Sequence, residues 1–287
     1  MILRGFKLML GTGRGLRIFL GTGLAVFGLL GGLVQLYAAL WPKNEINQPV
    51  IVVLIVCAIL ASSTFRAWPR HAFGRNFDLP DINVRVMVGD LFDQKGHLVI
   101  GFSDAFDTDT TDGEIISPVS VQGQFLHRVY GDDRDRLDRD LEAALKGVDL
   151  VAEELSADKR GKLRRYPMGT VATLGSSTQR YFCVAYTYMH NHLIVKSTVD
   201  YLWEALNSVW EAAKLYGQRK AVVIPIIGSE LARINCLDRE SLLKMIILSF
   251  VARSRQDEVC KELIVVVHPK DYEKIDMLEV RAFLKTL

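Results

Sequence analysis

Two apolar stretches lie almost back to back near the start of the chain, Ile18–Trp41 and Val50–Phe65. The first holds 24 residues interrupted only by Thr22 and Gln35. At about 1.5 Å per helical residue it is long enough to cross a hydrocarbon layer of about 30 Å. The second is strongly apolar from Val50 to Ala61, is softened by Ser62, Ser63 and Thr64, and reaches spanning length when Pro49–Trp68 is counted. A signal peptide has a similar basic start, but its apolar core is only about 7–15 residues long and no second span follows it. The expectation is a two-helix transmembrane region with basic flanks over residues 1–75, followed by an α/β domain over 76–287.

The cations fix an orientation. Arg4, Lys7, Arg14 and Arg17 precede the first span, Arg66, Arg70 and Arg75 follow the second, and the connecting loop carries only Lys43 against Glu45. The positive-inside rule places both termini in the cytoplasm, with Trp41 and Trp68 at the interfaces. Eight of the 35 Lys/Arg residues but one of the 33 acids lie at or before Arg75, so the remainder carries 27 cations against 32 acids. A mildly acidic domain without a basic stripe excludes nucleic acid as a partner. Cys57, Cys183, Cys236 and Cys260 show no paired C-x-x-C spacing, which argues against a disulfide framework and a zinc site and fits a reducing compartment.

Beyond Arg75 the pattern alternates. Strands are expected at Val84–Val88, His97–Phe102, Val171–Leu174, Tyr181–Thr187, Ala221–Ile224 and Glu262–Val267. Helices are expected at Asp133–Lys146, at Ser197–Tyr216 with Ser197 as N-cap, at Arg239–Arg253, and at Pro269–Leu284 with Pro269 in the first turn. Strand and helix in alternation predict a mixed sheet covered by helices on both faces.

Ligands in such folds bind outside the carboxyl ends of the strands. Three junctions there carry small or acidic residues: Val88-Gly89-Asp90-Leu91, Val99-Ile100-Gly101-Phe102-Ser103-Asp104, and Ile224-Pro225-Ile226-Ile227-Gly228-Ser229-Glu230. Glycine admits close backbone approach, and the Gly-Ser turn can form an anion nest. His190-Asn191-His192 reads as a solvated loop. No Walker loop, nucleophile elbow or metal motif is present, so neither catalytic nor metal-binding residues are assigned.

In this order and spacing the junctions, together with Tyr166-Pro167-Met168-Gly169-Thr170-Val171-Ala172-Thr173 and the long helix ending at Lys214–Gly217, resemble the macrodomain family over most of Val84–Leu284. The resemblance implies a three-layer α/β/α domain with a mixed sheet that binds ADP-ribose. It implies that Asp90 accepts from the adenine amino group while the backbone at Leu91 fixes the ring. Backbone near Gly101, Phe102, Ser103 and Asp104 and near Gly228, Ser229, Glu230 and Leu231 would line the diphosphate and distal ribose, Pro225 and Ile227 would belong to the same ligand site, and Tyr272 would pack near the adenine or distal ribose.

The chain departs from the hydrolytic members, which carry an Asn-rich turn and a glycine run where this sequence has Phe102-Ser103-Asp104-Ala105-Phe106-Asp107 and then acidic Thr108–Glu114. That stretch contacts a cationic group on the ribose, folds away as a lid, or is a solvated loop. Loss of the Asn-rich turn argues against hydrolysis, which needs a water held in fixed geometry against the anomeric carbon.

Two spans before a divergent macrodomain are similar to the membrane effectors of the Thoeris antiphage systems. The likeness implies a homo-oligomerising protein of the bacterial inner membrane. A TIR-domain partner would supply its signal, an ADP-ribose derivative, with histidine-ADP-ribose the best match. Binding would drive assembly and membrane disruption, with Gly28-x-x-x-Gly32 as a helix-contact motif. The alternatives are a membrane-tethered ADP-ribosyl hydrolase and a constitutive scaffold for a protein partner.

Overall fold

The computed structural model describes residues 11, 13–42, 47–68, 71–228 and 236–287. The chain divides into two compact units, one of residues up to His71 with Asp276–Ala282, the other of Ala72–Ile275 with Phe283–Leu287.

The first unit holds α1 (Gly13–Leu40) and α2 (Gln48–Ala67). Both are long and apolar enough to cross a membrane. Asn47 caps α2 by accepting from the Val50 amide, and Pro49 sits in the first turn, where no amide donor is needed. The two helices touch at Gly23, where an added Cβ would lie 3.3 Å from both the Ile59 side chain and Ser63 Oγ. Gly21, Gly28, Gly31 and Gly32 have nothing among the described residues within 4 Å of that position. The contact between α1 and α2 is therefore built on Gly23, and the Gly28/Gly32 motif is not part of it. Leu24, Phe27, Val53 and Leu54 point outward, as side chains that face lipid do.

The second unit is organised by a sheet of order β1-β2-β10-β9-β3-β7-β6. In chain order its elements are β1 (Ala72–Asp78), β2 (Asp81–Val88), β3 (His97–Ser103), α3 (Val121–Tyr130), α4 (Arg134–Ala144), β4 (Ala152–Glu153), β5 (Arg164–Arg165), β6 (Val171–Gly175), β7 (Arg180–Met189), β8 (Val195–Lys196), α5 (Val199–Tyr216), β9 (Val222–Pro225), α6 (Arg239–Gln256) and β10 (Glu262–Val267); the closing helix α7 (Met277–Thr286) is divided between the units, with its residues up to Ala282 counted in the first. The first strand places Arg75 within the sheet, so the second unit begins at Ala72 and not after Arg75.

The five inner strands β2, β10, β9, β3 and β7 run parallel, while β1 and β6 close the two edges antiparallel. Being covered on both faces, β3 and β10 read as near-continuous apolar runs. Leu98, Ile100 and Phe102 of β3 join Phe125, Leu137 and Leu141 of α3 and α4 in one core cluster. On the other face lie α5 and α6, joined by the Trp210–Phe250 ring contact at 5.3 Å. The fold is the expected three-layer α/β/α arrangement with a mixed sheet.

Two local expectations are corrected. Thr198, not Ser197, caps α5: its Oγ1 accepts from the Tyr201 amide at 3.1 Å, and Ser197 Oγ instead donates to the Tyr186 carbonyl at 2.6 Å. The closing helix starts at Met277, because Asp276 Oδ1 accepts from the Leu278 and Glu279 amides and caps it there; Pro269 lies in the loop before a short 3-10 turn at Tyr272–Lys274.

Candidate functional site

All five parallel strands end at the same edge of the sheet, and there the sheet opens. Strand β3 pairs with β9 only through His97↔Val222 and Leu98↔Val223. Beyond that, β9 reaches Pro225, which has no amide to continue a ladder, and the two strands part. The chain also reverses its winding here, moving from β3 out to β7 on one side and from β9 out to β10 on the other. This is the topological position at which doubly wound sheets bind ligands.

A cavity of about 470 Å³ occupies the opening. Its walls are Gly101–Ser103 from β3, Pro225–Gly228 after β9, His268, Lys270 and Asp271 after β10, Tyr186, Thr187 and Met189 from β7, and the strap Ile115–Gln122 that leads into α3. Gly228 adopts φ +86°, a left-handed turn that favours glycine.

The charges favour an anion. Lys270 is exposed and has no acidic partner among the described residues, whereas Asp271 is neutralised by Arg239 at 2.8 Å and Lys274 at 3.3 Å. Ser120 caps α3 by accepting from the Gly123 amide at 3.0 Å. Val121 and Gln122 occupy the first turn on the cavity wall, where backbone N–H groups have no acceptor within the helix and carry the positive end of its dipole.

Of the residues singled out in the sequence, Gly101, Phe102, Ser103, Pro225, Ile227 and Gly228 line the cavity. Asp90, Leu91, Asp104 and Tyr272 do not, and Ser229, Glu230 and Leu231 lie outside the described residues. Asp90 caps a short turn, its Oδ1 accepting from the Phe92 amide at 2.8 Å and its Oδ2 pairing with Arg128 at 2.7 Å. That Arg128 also bridges to Asp93, and both acids raise its pKa. Tyr272 is buried, which raises its hydroxyl pKa.

Asp104 is buried behind the wall. Its Oδ2 accepts from Arg165 at 2.6 Å and its Oδ1 from the Met189 amide at 2.9 Å. Arg165 is itself buried, pairs with Glu154, donates to Asn191 Oδ1 at 2.8 Å, and lies 4.4 Å from the centre of the Tyr188 ring. Asn191, half-buried, is thus tied to this network, where a solvated loop is expected.

The acidic stretch is held by cations close to it. Asp109 pairs with Arg134, Arg160 reaches both Asp112 and Glu114, and Asp107 is sealed against Lys159 at 3.1 Å with both side chains buried. Burial pushes the Asp107 carboxyl pKa up, opposed by Lys159. None of residues 107–114 lines the cavity; the stretch supports the strap that does.

Sequence reasoning missed the strap, the β7 wall and the loop after β10. The last was accessible, since His268-Pro269-Lys270-Asp271 directly follows a buried strand. Among the described residues, no group of three or more His, Cys, Asp or Glu side chains is placed to hold a metal ion.

The family model for the Thoeris protein ThsA macrodomain matches residues 84–268. The chain belongs to this family. Among solved structures the ThsA-type fold is similar to a point mutant of the Oceanobacillus iheyensis macrodomain, at 11% identity and TM-score 0.50 over 76% of this chain and 99% of that one. It is also similar to the Oceanobacillus iheyensis macrodomain with ADP, at 12% identity and TM-score 0.48 over 76% and 97%. At these identities the likeness is one of fold. Among curated proteins none matches. In this ThsA-type macrodomain the sheet opening defines the candidate site.

Proposed function

We propose that this chain is a membrane-anchored effector of Thoeris defence whose macrodomain binds an ADP-ribose-derived nucleotide, histidine-ADP-ribose from a TIR-domain partner, and answers by assembling and disrupting the membrane. The observation that carries this reading is the anion-favouring cavity at the opened β3/β9 edge of a ThsA-type macrodomain, in a chain that also carries two span-length helices. The basic flanks favour cytoplasmic termini, where a nucleotide made in the cell is available. The ligand shifts assembly only by its differential affinity for the assembled state. The stripe containing Gly28 and Gly32, unused within the α1–α2 contact, is the surface on which copies meet. Binding proceeds without turnover.

The test is calorimetric titration of the full chain in detergent micelles with ADP-ribose, histidine-ADP-ribose and NAD, with particle size followed by light scattering. Adduct-selective binding with growth in size is expected. Release of free ADP-ribose from the adduct overturns the non-catalytic reading in favour of a hydrolase, and absence of binding to all three overturns the nucleotide reading.

A further inference from the structure

Strand β7 pairs with β3 residue for residue from Leu98↔Tyr181 to Phe102↔Ala185, but the next pair is Ser103↔Thr187. Tyr186 is therefore an extra residue without a register partner on β3, a β-bulge. Bulges beside functional sites re-aim a side chain. Here the Tyr186 ring lies over Gly101, where an added Cβ would fall 2.5 Å from ring atom Cε1. With the ring in this position there is no room for a side chain at 101. Ser197 Oγ donates to the Tyr186 carbonyl at 2.6 Å and pins the bulge from the opposite side.

A second observation stands one residue past the bulge. Ser103 is 4% exposed, and its Oγ has no hydrogen-bond partner among the described residues. A buried hydroxyl without a protein partner is unfavourable, and the cost is recovered when a ligand supplies one. Tyr186 and Ser103 both line the cavity, with apolar Ile116 and Met189 on its walls. An aromatic face beside one hydroxyl, within apolar walls, fits a flat ring that carries a nitrogen or oxygen at its edge.

We propose that Tyr186 and Ser103 form a subsite for a planar nitrogenous ring of the nucleotide ligand, the ring lying against Tyr186 and its edge hydrogen-bonded to Ser103 Oγ. The inference rests on the nucleotide-binding reading above and adds to it the two side chains that select the ligand. The ring has two sources, the base of the nucleotide or a ring attached at its other end, and one experiment separates them.

The full chain in micelles is compared with Tyr186→Leu and Ser103→Ala by titration with ADP-ribose and histidine-ADP-ribose. Loss of stacking in Tyr186→Leu weakens binding roughly tenfold. Loss of the hydrogen bond in Ser103→Ala weakens it about fivefold. Equal losses for both ligands identify the ring as adenine, and losses confined to the adduct identify the attached ring. Affinities unchanged in both variants overturn the subsite.

Thermal unfolding supplies a readout that a merely structural serine would move the other way. Removing an unpartnered hydroxyl leaves the Ser103→Ala midpoint unchanged or raised, and a lowered midpoint overturns the role of Ser103. If wild-type protein binds neither nucleotide, the nucleotide reading fails by itself. Saturation-transfer NMR with free adenine and imidazole at millimolar concentration then decides the subsite: transfer lost in Tyr186→Leu supports it, and no transfer to wild type overturns it.

Discussion

Arg165→Met isolates the network behind the cavity. Arg165 and Asp104 are both buried, and the substitution keeps the aliphatic stem while removing the charge that faces Asp104 at 2.6 Å. Glu154 is more exposed than Asp104 and regains water, so the cost is dominated by one carboxylate left buried with only the Met189 amide as donor. Breaking a buried pair in this way costs about 3–5 kcal/mol. For a unit of about 200 residues each kcal/mol moves the midpoint by about 2–4 °C, so the expected drop is roughly 6–20 °C. Trp210, fully buried and donating to Ser249 Oγ at 3.0 Å, provides the fluorescence signal for unfolding. Adding Asp104→Asn to Arg165→Met removes the stranded charge but keeps an acceptor for the Met189 amide, and restores at least half of the loss. A cost for Arg165→Met below about 1 kcal/mol, or a double variant no more stable than the single, refutes the reasoning.

Three further outcomes are expected. His97 is buried with Nε2 on the Gly217 carbonyl and Nδ1 accepting from the Arg180 amide, and burial holds its pKa below the usual value of 6.5. The unfolded chain then takes up a proton before the folded one, so stability is full above about pH 6.5 and is lost as pH falls from there through the folded pKa; urea melts at stepped pH check this, and a slope unchanged by His97→Gln excludes His97 as its source. Gly23→Leu disrupts the contact between α1 and α2, whereas Gly28→Leu leaves that contact intact but impairs assembly, as sedimentation in detergent and dye release from liposomes will report; full dye release by the Gly28 variant removes the glycine stripe from the assembly interface. Gly228→Ala forces a side chain into a left-handed turn at a cost of roughly 1–2 kcal/mol and weakens nucleotide binding; unchanged affinity by calorimetry separates that turn from the site.

The parts of the fold that were legible in the sequence are those whose burial imposes a period. Strands β3 and β10 are buried on both faces, and α5 carries Leu202, Leu206, Val209 and Ala213 on one side. Edge strand β1 was not legible, because only Phe77 in it is buried. Helix α3 was hidden by Gly123, a poor helix former that is needed here because a Cβ would lie 2.4 Å from the Ser117 carbonyl oxygen. At the site, the small residues at 101 and 228 both line the cavity, and Gly101 also makes room for the Tyr186 ring. Asp90 and Asp104 look like ligand carboxylates in the sequence because their partners, Arg128 and Arg165, stand 38 and 61 residues away. Such distant pairings leave no local pattern.

The sheet is nearly cut in two. Strands β1, β2, β10 and β9 form one half and β3, β7 and β6 the other, joined in the ladder by two residue pairs at one end only. The cavity lies at the open end of this seam, so its walls come from both halves. A ligand wedged into the mouth would serve as a strut, turning two plates into one. The work it does on the molecule is then stiffening, and the amides of Ile100–Ser103 should exchange more slowly once it is in place.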